Sequence, residues 1–339
     1  MARLTVFRIC MYAVLCSCSP PAEAQSEWRG PDREGIYYEK GLLDRWPDEG
    51  PDLIWSFEGL GYGHSSAAVG NGRVYINGMP DTLGVLYCFD PDGKLLWQKV
   101  YGEEWHVNYT GTRSTPVLAG QLLYLISGTG VVFCFDAMTG NIRWQVNVLE
   151  RFDAENIRWG ITENLLIDGD HLICTPGGAQ HNVVALNRFT GETVWTSPGF
   201  GELSAYCSPV MVRHNQSRLI VTMTANSVIG LDAETGEMYW RVEQMQVNKI
   251  HANSPVYSDG IIYCSSASAP SSSGLLALRL SDDGRQVQQQ WRNESFHNLM
   301  GGIIVKDGVI YGSAYRKNAW YAIDPADGSK TLLTKDFGG

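Results

Sequence analysis

Leu86-Tyr87-Cys88-Phe89-Asp90-Pro91-Asp92-Gly93-Lys94-Leu95-Leu96-Trp97 is the stretch that decides the fold. A run of β-forming residues ends at an Asp, a Gly-bearing turn follows, and a second apolar segment closes on a Trp. The Gly supplies the positive φ of a tight hairpin, and the Asp side chain can accept hydrogen bonds from the turn amides. The pattern returns at 132–136 with Met138-Thr139-Gly140-Asn141 and Trp144. It returns at 183–187 with Phe189-Thr190-Gly191-Glu192 and Trp195, and at 228–232 with Glu234-Thr235-Gly236-Glu237 and Trp240. A divergent copy spans 275–279 with Asp282-Asp283-Gly284 and Trp291, and a last one spans 320–324 with Ala326-Asp327-Gly328-Ser329 and no Trp. The tryptophans fall roughly 45–51 residues apart, close to the ~40–50-residue period of a four-stranded propeller blade.

A first hairpin precedes each of these: 67–76 around Asn71-Gly72, 116–125, 165–174 around Asp168-Gly169, 209–221, 255–264 around Asp259-Gly260, and 303–311 around Asp307-Gly308. No stretch carries a helical period. The expected fold is all-β, a β-propeller of four-stranded antiparallel blades with six complete blades in this chain. Each Trp is expected on an outermost strand, filling the widening gap between blades. One strand is left over: Asp52-Leu53-Ile54-Trp55-Ser56 matches the outer strand of a blade whose inner strands are missing. The expectation is a ring with a gap beside 53–57, a chain incomplete at its C-terminus, and seven or eight blades in an intact protein.

The 339 residues carry a formal charge of −10 and no basic stripe, which argues against nucleic-acid binding. No apolar run reaches the ~18 residues that a spanning helix needs. The N-terminus reads as an export signal, with Arg3 and Arg8 before a short apolar run from Ile9 to Leu15. Two endings are open. Ala22-Glu23-Ala24 is a cleavage site before Gln25, and Leu15-Cys16-Ser17-Cys18 resembles a lipobox that would lipidate Cys18 and attach the protein to a membrane. Both place the mature protein outside the cytoplasm: periplasmic, at the cell surface or secreted. The expected division is a signal peptide at 1–24, an N-terminal extension at 25–50 and the propeller at 51–339. Beyond the signal lie Cys88, Cys134, Cys174, Cys207 and Cys264, an odd number without C-x-x-C, expected as buried free thiols.

The repeats resemble the PQQ-binding-like, quinoprotein-type β-propeller repeat, over roughly 28–339. Quinoprotein alcohol dehydrogenases and the BamB-like outer-membrane assembly scaffold lipoproteins share that repeat. Trp28-Arg29-Gly30-Pro31-Asp32-Arg33-Glu34-Gly35, Trp159-Gly160-Ile161-Thr162-Glu163, Cys174-Thr175-Pro176-Gly177-Gly178 and Gly301-Gly302 after His297-Asn298 resemble one exported bacterial subgroup, often labelled polyvinyl-alcohol-dehydrogenase-like. The dehydrogenase resemblance implies PQQ over a Trp floor, an adjacent-cysteine ring and a calcium site of Glu, Asn and Asp. No two cysteines are adjacent here and C-x-x-C-H is absent. No cofactor is therefore expected, with PQQ and calcium as the alternative. Likeness of fold does not establish activity.

G-x-S-x-G, H-E-x-x-H and a Walker loop are absent. Asp90-x-Asp92-Gly93 and Asp168-Gly169-Asp170 are fragments of calcium loops, read as hairpin turns, so no metal site is expected. The residues entering each innermost strand converge on the axis of a propeller. They are His64, Arg113, Trp159, Glu163, Tyr206, His251, Asn253, His297 and Asn298. Such a funnel is a candidate ligand site, although polar groups are expected at any wet mouth. Glu163 is read at the position of Ser66, Thr115, Ser208, Ser254 and Gly302. It is a candidate acid–base residue, or a structural partner of Arg113 or Arg158. Trp105, in a long interblade connection, is the candidate loop contact. The leading expectation is a non-enzymatic exported module that binds a protein partner, a polymer or a small ligand at the funnel and loops. The alternatives are a PQQ-dependent dehydrogenase and a hydrolase or lyase using Glu163.

Overall fold

A computed structural model describes residues 25–26, 28–267 and 271–334. The signal and lipobox readings lie outside these residues. Six antiparallel blade sheets succeed one another along the chain, their four blade strands ordered by sequence from innermost to outermost, and a small two-stranded sheet pairs Gly177–Gly178 with Glu202–Leu203. Their innermost strands are Ala68–Gly70, Val117–Ala119, Leu166–Asp168, Val210–His214, Val256–Ser258 and Ile303–Lys306. Their outermost strands are Leu95–Glu103, Ile142–Asn147, Thr193–Pro198, Met238–Glu243, Val287–Asn293 and Lys330–Thr334. The fold is therefore a β-propeller with six four-stranded blades in this chain. Its one helix among the described residues is a single turn, Val148–Arg151, capped by the Asn147 side chain.

The repeat motif acts as its residues dictate. Gly93, Gly140, Gly191, Gly236, Gly284 and Gly328 all have φ between 69° and 82°. Asp136 Oδ1 accepts from the Met138 and Thr139 amides, and Asp232 Oδ1 from those of Glu234 and Thr235. The motif Trp stands opposite a small residue on the neighbouring strand: Cys88 pairs with Trp97, Cys134 with Trp144, Ala185 with Trp195, Gly230 with Trp240 and Ala277 with Trp291. The indole then reaches into the next blade. Trp144 Nε1 donates to Arg188 O at 3.0 Å and Trp291 Nε1 to Pro325 O at 2.8 Å. In the sixth blade Leu332, 46% exposed, takes this place opposite Tyr321.

Five apolar clusters each bridge one blade to the next, from the first through to the sixth. A further cluster covers the free face of the first blade, where Trp55 and Leu60 pack on Tyr87 and Phe89. Trp55 repeats the motif contact, donating Nε1 to Pro91 O at 3.0 Å beside Gly93. Yet 52–57 forms no strand, and Leu53 and Ile54 are over four-fifths exposed. Among the described residues, no apolar cluster joins the sixth blade to the first. The five cysteines among the described residues are free and buried, and burial raises the Cys134 thiol to about 12 and the Cys207 thiol to about 11.

The segment expected as an extension enters the axis. Gln25–Ser26 adds a fifth strand to the innermost edge of the second blade, opposite Ala119 and Leu118. Arg33, buried, donates to Asn164 O at 3.0 Å, Leu165 O at 2.5 Å and Pro209 O at 2.9 Å, tying the third blade to the fourth. Arg29 donates to Ile303 O of the sixth blade at 2.9 Å. The Trp-Arg-Gly-Pro-Asp-Arg-Glu-Gly motif is a strap across the channel, clamped by two guanidinium groups on backbone carbonyls.

Candidate functional site

Two belts of polar residues surround the axis where the innermost strands begin. The first holds each strand to its own blade. Ser65 Oγ donates to Asn77 O, Ser114 Oγ to Ile126 O and Asn253 Nδ2 to Ser265 Oγ. Glu163 belongs to this belt, accepting from the Thr175 amide at 2.8 Å and the Thr175 hydroxyl at 2.6 Å. The second belt links blade to blade. The Ser66 amide donates to Thr115 Oγ1, the Thr115 amide to Asn164 Oδ1 and the Asn164 amide to Ser208 Oγ.

This corrects the reading of Glu163. Its counterparts are Ser65, Ser114 and Asn253, and Asn164 matches Ser66, Thr115 and Ser208. A slip of one residue exchanges the faces of an extended strand. Glu163 therefore points into the blade and is 1% exposed. Burial raises its carboxyl to about 7, against the Thr175 hydrogen bonds and the nearby charge of Arg33. Neither Arg113 nor Arg158 is its partner.

Arg113 instead donates to Asn108 O and Tyr109 O and lies near Glu104. Glu104, fully buried, accepts from the Tyr101 hydroxyl at 2.6 Å and the Gly128 amide at 2.9 Å. Burial lifts its carboxyl to about 6, opposed by these hydrogen bonds and by Arg113. Glu104 was not among the candidates. The signal was its place just past an outermost strand, which recurs in kind. Glu202 accepts from Thr224, Ser227 and Arg241, and Gln244 bonds Ser266 Oγ and Gly274 O. The connections after the first, third and fourth blades thus each cap a hairpin of the next blade.

Trp105, Arg113, Trp159 and Tyr206 meet on one face. Trp105 Nε1 donates to Asn108 Oδ1 at 3.2 Å, and Asn108 Nδ2 donates to Arg158 O at 3.2 Å. The Arg158 guanidinium lies 4.8 Å over the Trp159 ring, which packs 5.8 Å from Tyr206. Trp105 is half-buried, and the free contact surface beside it belongs to Val107 and Tyr109, 69% and 73% exposed, and to Tyr62, 65% exposed. His64 borders this face, its exposed residue held through a backbone bond to Thr112 O.

The remaining candidates lie apart. Asn253 and Asn298 bond each other at 2.6 Å and spend their amides on Ser265, Gly302 and Ser313, so both are internal ties. His251 is buried with neither ring nitrogen at hydrogen-bonding geometry. Burial lowers it to about 4, although the backbone of Ala225 and of Gln244 lies near. His297 is half-buried and lowered by burial and by Lys317 and Lys330.

The residues do not fit PQQ with calcium. Arg33 is committed to carbonyls of the third and fourth blades, Thr175 holds both Glu163 oxygens, and Asn253 and Asn298 are spent on each other. Among the described residues no three His, Cys, Asp or Glu side chains could hold a metal. Asp168 of the partial calcium loop pairs with Arg218. The hairpin there turns on Gly169-Asp170, since Asp168 pairs with His171.

Blade motif, wedge tryptophans and axial belts define a propeller of PQQ-like repeats. The chain belongs to the family described as outer membrane protein assembly factor BamB, matched over 48–151 and 82–331. An outer membrane protein assembly factor BamB from Kangiella koreensis is 30% identical over 185 residues, 52% of this chain and 42% of that protein. A quinoprotein ethanol dehydrogenase of Pseudomonas putida is 28% identical over 160 residues, 42% of this chain and 24% of that protein. The match spans less than half the length of either relative. The crystal structure of BamB from Moraxella catarrhalis has the same fold, with a TM-score of 0.55 at 16% identity, over 78% of this chain and 70% of that one.

Proposed function

We propose that this chain is an exported, non-enzymatic scaffold for outer-membrane protein assembly that docks a protein partner on the face built from Trp105, Arg113, Arg158, Trp159 and Tyr206. The observation that carries this is the composition and anchoring of that face. Trp, Tyr and Arg are the residues enriched in protein–protein hot spots. Here they come from successive interblade connections, are locked to one another by hydrogen bonds and stacking, and are edged by exposed Val107, Tyr109 and Tyr62. A preformed aromatic and guanidinium surface loses little conformational freedom on binding. The family relationship supports assembly over oxidation, and the belt residues near the axis are already committed to hydrogen bonds within the fold.

The test places a photo-crosslinking phenylalanine at Tyr109 in the full-length protein in its own host. The expected result is one covalent adduct with an outer-membrane assembly protein, lost in the doubly substituted Arg158→Glu, Trp159→Ala protein. No adduct, or an adduct unchanged by those substitutions, overturns the docking face. Dye-linked alcohol oxidation on adding PQQ and calcium overturns the non-enzymatic reading.

The unfilled sides of the first and sixth blades support a second part of the proposal. Added strands would fit between Trp55 and the sixth blade, beside 52–57, which itself forms no strand. Ile304, Trp320, Leu332 and Leu333, each between 36% and 51% exposed, form the face they would cover.

A further inference from the structure

Beside the strap, next to the third blade that carries Glu163, lies a cavity of about 330 Å³. Its walls come from the strap and from the innermost strands of the fourth and fifth blades. Asp32, Glu34 and Tyr38 stand on one side, Met211 and Arg213 on the second, and Tyr257 on the third. The volume falls within the range of ligand sites, ~300–1,000 Å³. Tyr38 donates its hydroxyl to Glu34 Oε1 at 2.8 Å, which leaves the other carboxylate oxygen of Glu34 available. Among the described residues neither Asp32 nor Glu34 closes an ion pair. Two carboxylates face one guanidinium, so the lining carries a net negative charge. Two tyrosine rings and a Met supply apolar and π surface for an alkyl stem and a cationic head.

The backbone adds a second element. Innermost strands present an unpaired edge to the channel, and such edges are templates for another extended segment. The chain uses one of them itself, where Gln25–Ser26 pairs with Ala119 and Leu118 on the second blade. The equivalent edges of Val210–His214 and Val256–Ser258 border the cavity, and no strand is added to either among the described residues.

We propose that this axial cavity binds an extended peptide through a lysine or arginine side chain, whose cation lies between Asp32 and Glu34 while its backbone pairs with an innermost strand. The site is separate from the docking face and does not depend on it. It would let the propeller hold a second chain at its axis while its outer connections hold a partner.

The experiment is calorimetric titration of the full-length protein with Ac-Val-Lys-Val-NH2, with Ac-Val-Glu-Val-NH2 and with n-butylammonium. The expected result is saturable binding of the lysine peptide, at least about tenfold weaker binding of the glutamate peptide, and weaker binding of n-butylammonium, which lacks a backbone. Equal binding of n-butylammonium overturns the strand-pairing part, leaving a site for simple amines. Asp32→Asn with Glu34→Gln should weaken the lysine peptide about tenfold. Arg213→Ala should tighten it several-fold, a gain that loss of folding cannot imitate. Trp159→Ala should change nothing, which separates this site from the docking face. No saturable binding of the lysine peptide, or binding indifferent to both cavity variants, overturns the proposal.

Discussion

The indole of Trp195 in the third blade lies against Gly236 in the fourth, so closely that a Cβ on Gly236 would stand 2.4 Å from the ring. Gly236 also has φ of 74°. Replacing it with Ala imposes left-handed strain and a clash with a buried ring at once, so Gly236→Ala should lower stability by about 2–4 kcal/mol. Gly169→Ala is the control. It shares the positive φ but meets nothing within 4 Å, and should cost only about 1 kcal/mol. Urea unfolding of both variants measures the difference.

The strap depends on Arg33. Its guanidinium satisfies three backbone carbonyls of two blades, an arrangement that a planar fork can make and an ammonium cannot. Arg33→Ala leaves those carbonyls without this donor and should cost about 2–4 kcal/mol. Arg33→Lys should recover only part of that. Limited proteolysis gives the local reading, with cleavage within 28–50 faster in both variants while the blades stay resistant.

What was legible in the sequence followed from local chemistry. The motif from Asp232 to Trp240 specifies its own turn, strand and wedge contact, so six copies gave six blades. What was not legible came from distant segments meeting at the axis. Nothing near Arg33 in sequence announces three carbonyls supplied by Asn164, Leu165 and Pro209. Glu163 was misplaced because its neighbours are short of regular strand, where alternation cannot show which of two adjacent residues faces inward. The role of Glu104 is set by Tyr101 and by Gly128 of the next blade, and nothing in the neighbouring Glu103 or Trp105 distinguishes it as the buried carboxylate.

Glu163 sets one pH dependence. Its folded carboxyl titrates near 7, above the ordinary 4.5, because burial favours the neutral acid. Arg33, Cys174 and Cys207 are the other titratable groups close to it. Between about 4.5 and 7 the native state holds a proton that the unfolded chain has released, so this group's contribution falls as pH rises through that window. Glu163→Gln keeps an acceptor for Thr175 and cannot ionise. The variant should be more stable than the parent above pH 7 by about 1–3 kcal/mol, with little difference near pH 4. Chemical denaturation across pH 4–8 checks both ends, and equal stability at pH 8 would contradict the raised value.

His251 sets a dependence of opposite sign. It stands two residues before Asn253, as Ile161 stands two before Glu163, so the fold places an imidazole where the third blade has an apolar side chain. Burial holds the ring neutral, with its folded value near 4 against the usual 6.5. Between those values the unfolded chain takes up a proton that the native ring refuses, so stability from this group is fully present above 6.5 and is lost as pH falls toward 4. His251→Leu removes both the desolvated ring and its titration. At pH 7.5 the variant should be at least as stable as the parent, by up to about 1 kcal/mol, because an imidazole buried away from partners costs free energy. At pH 4.5 the advantage should grow by about 2 kcal/mol as the parent alone weakens. Parallel denaturation curves at the two pH values decide it, and a variant that loses stability equally at both would show that the ring is held by packing that leucine cannot supply.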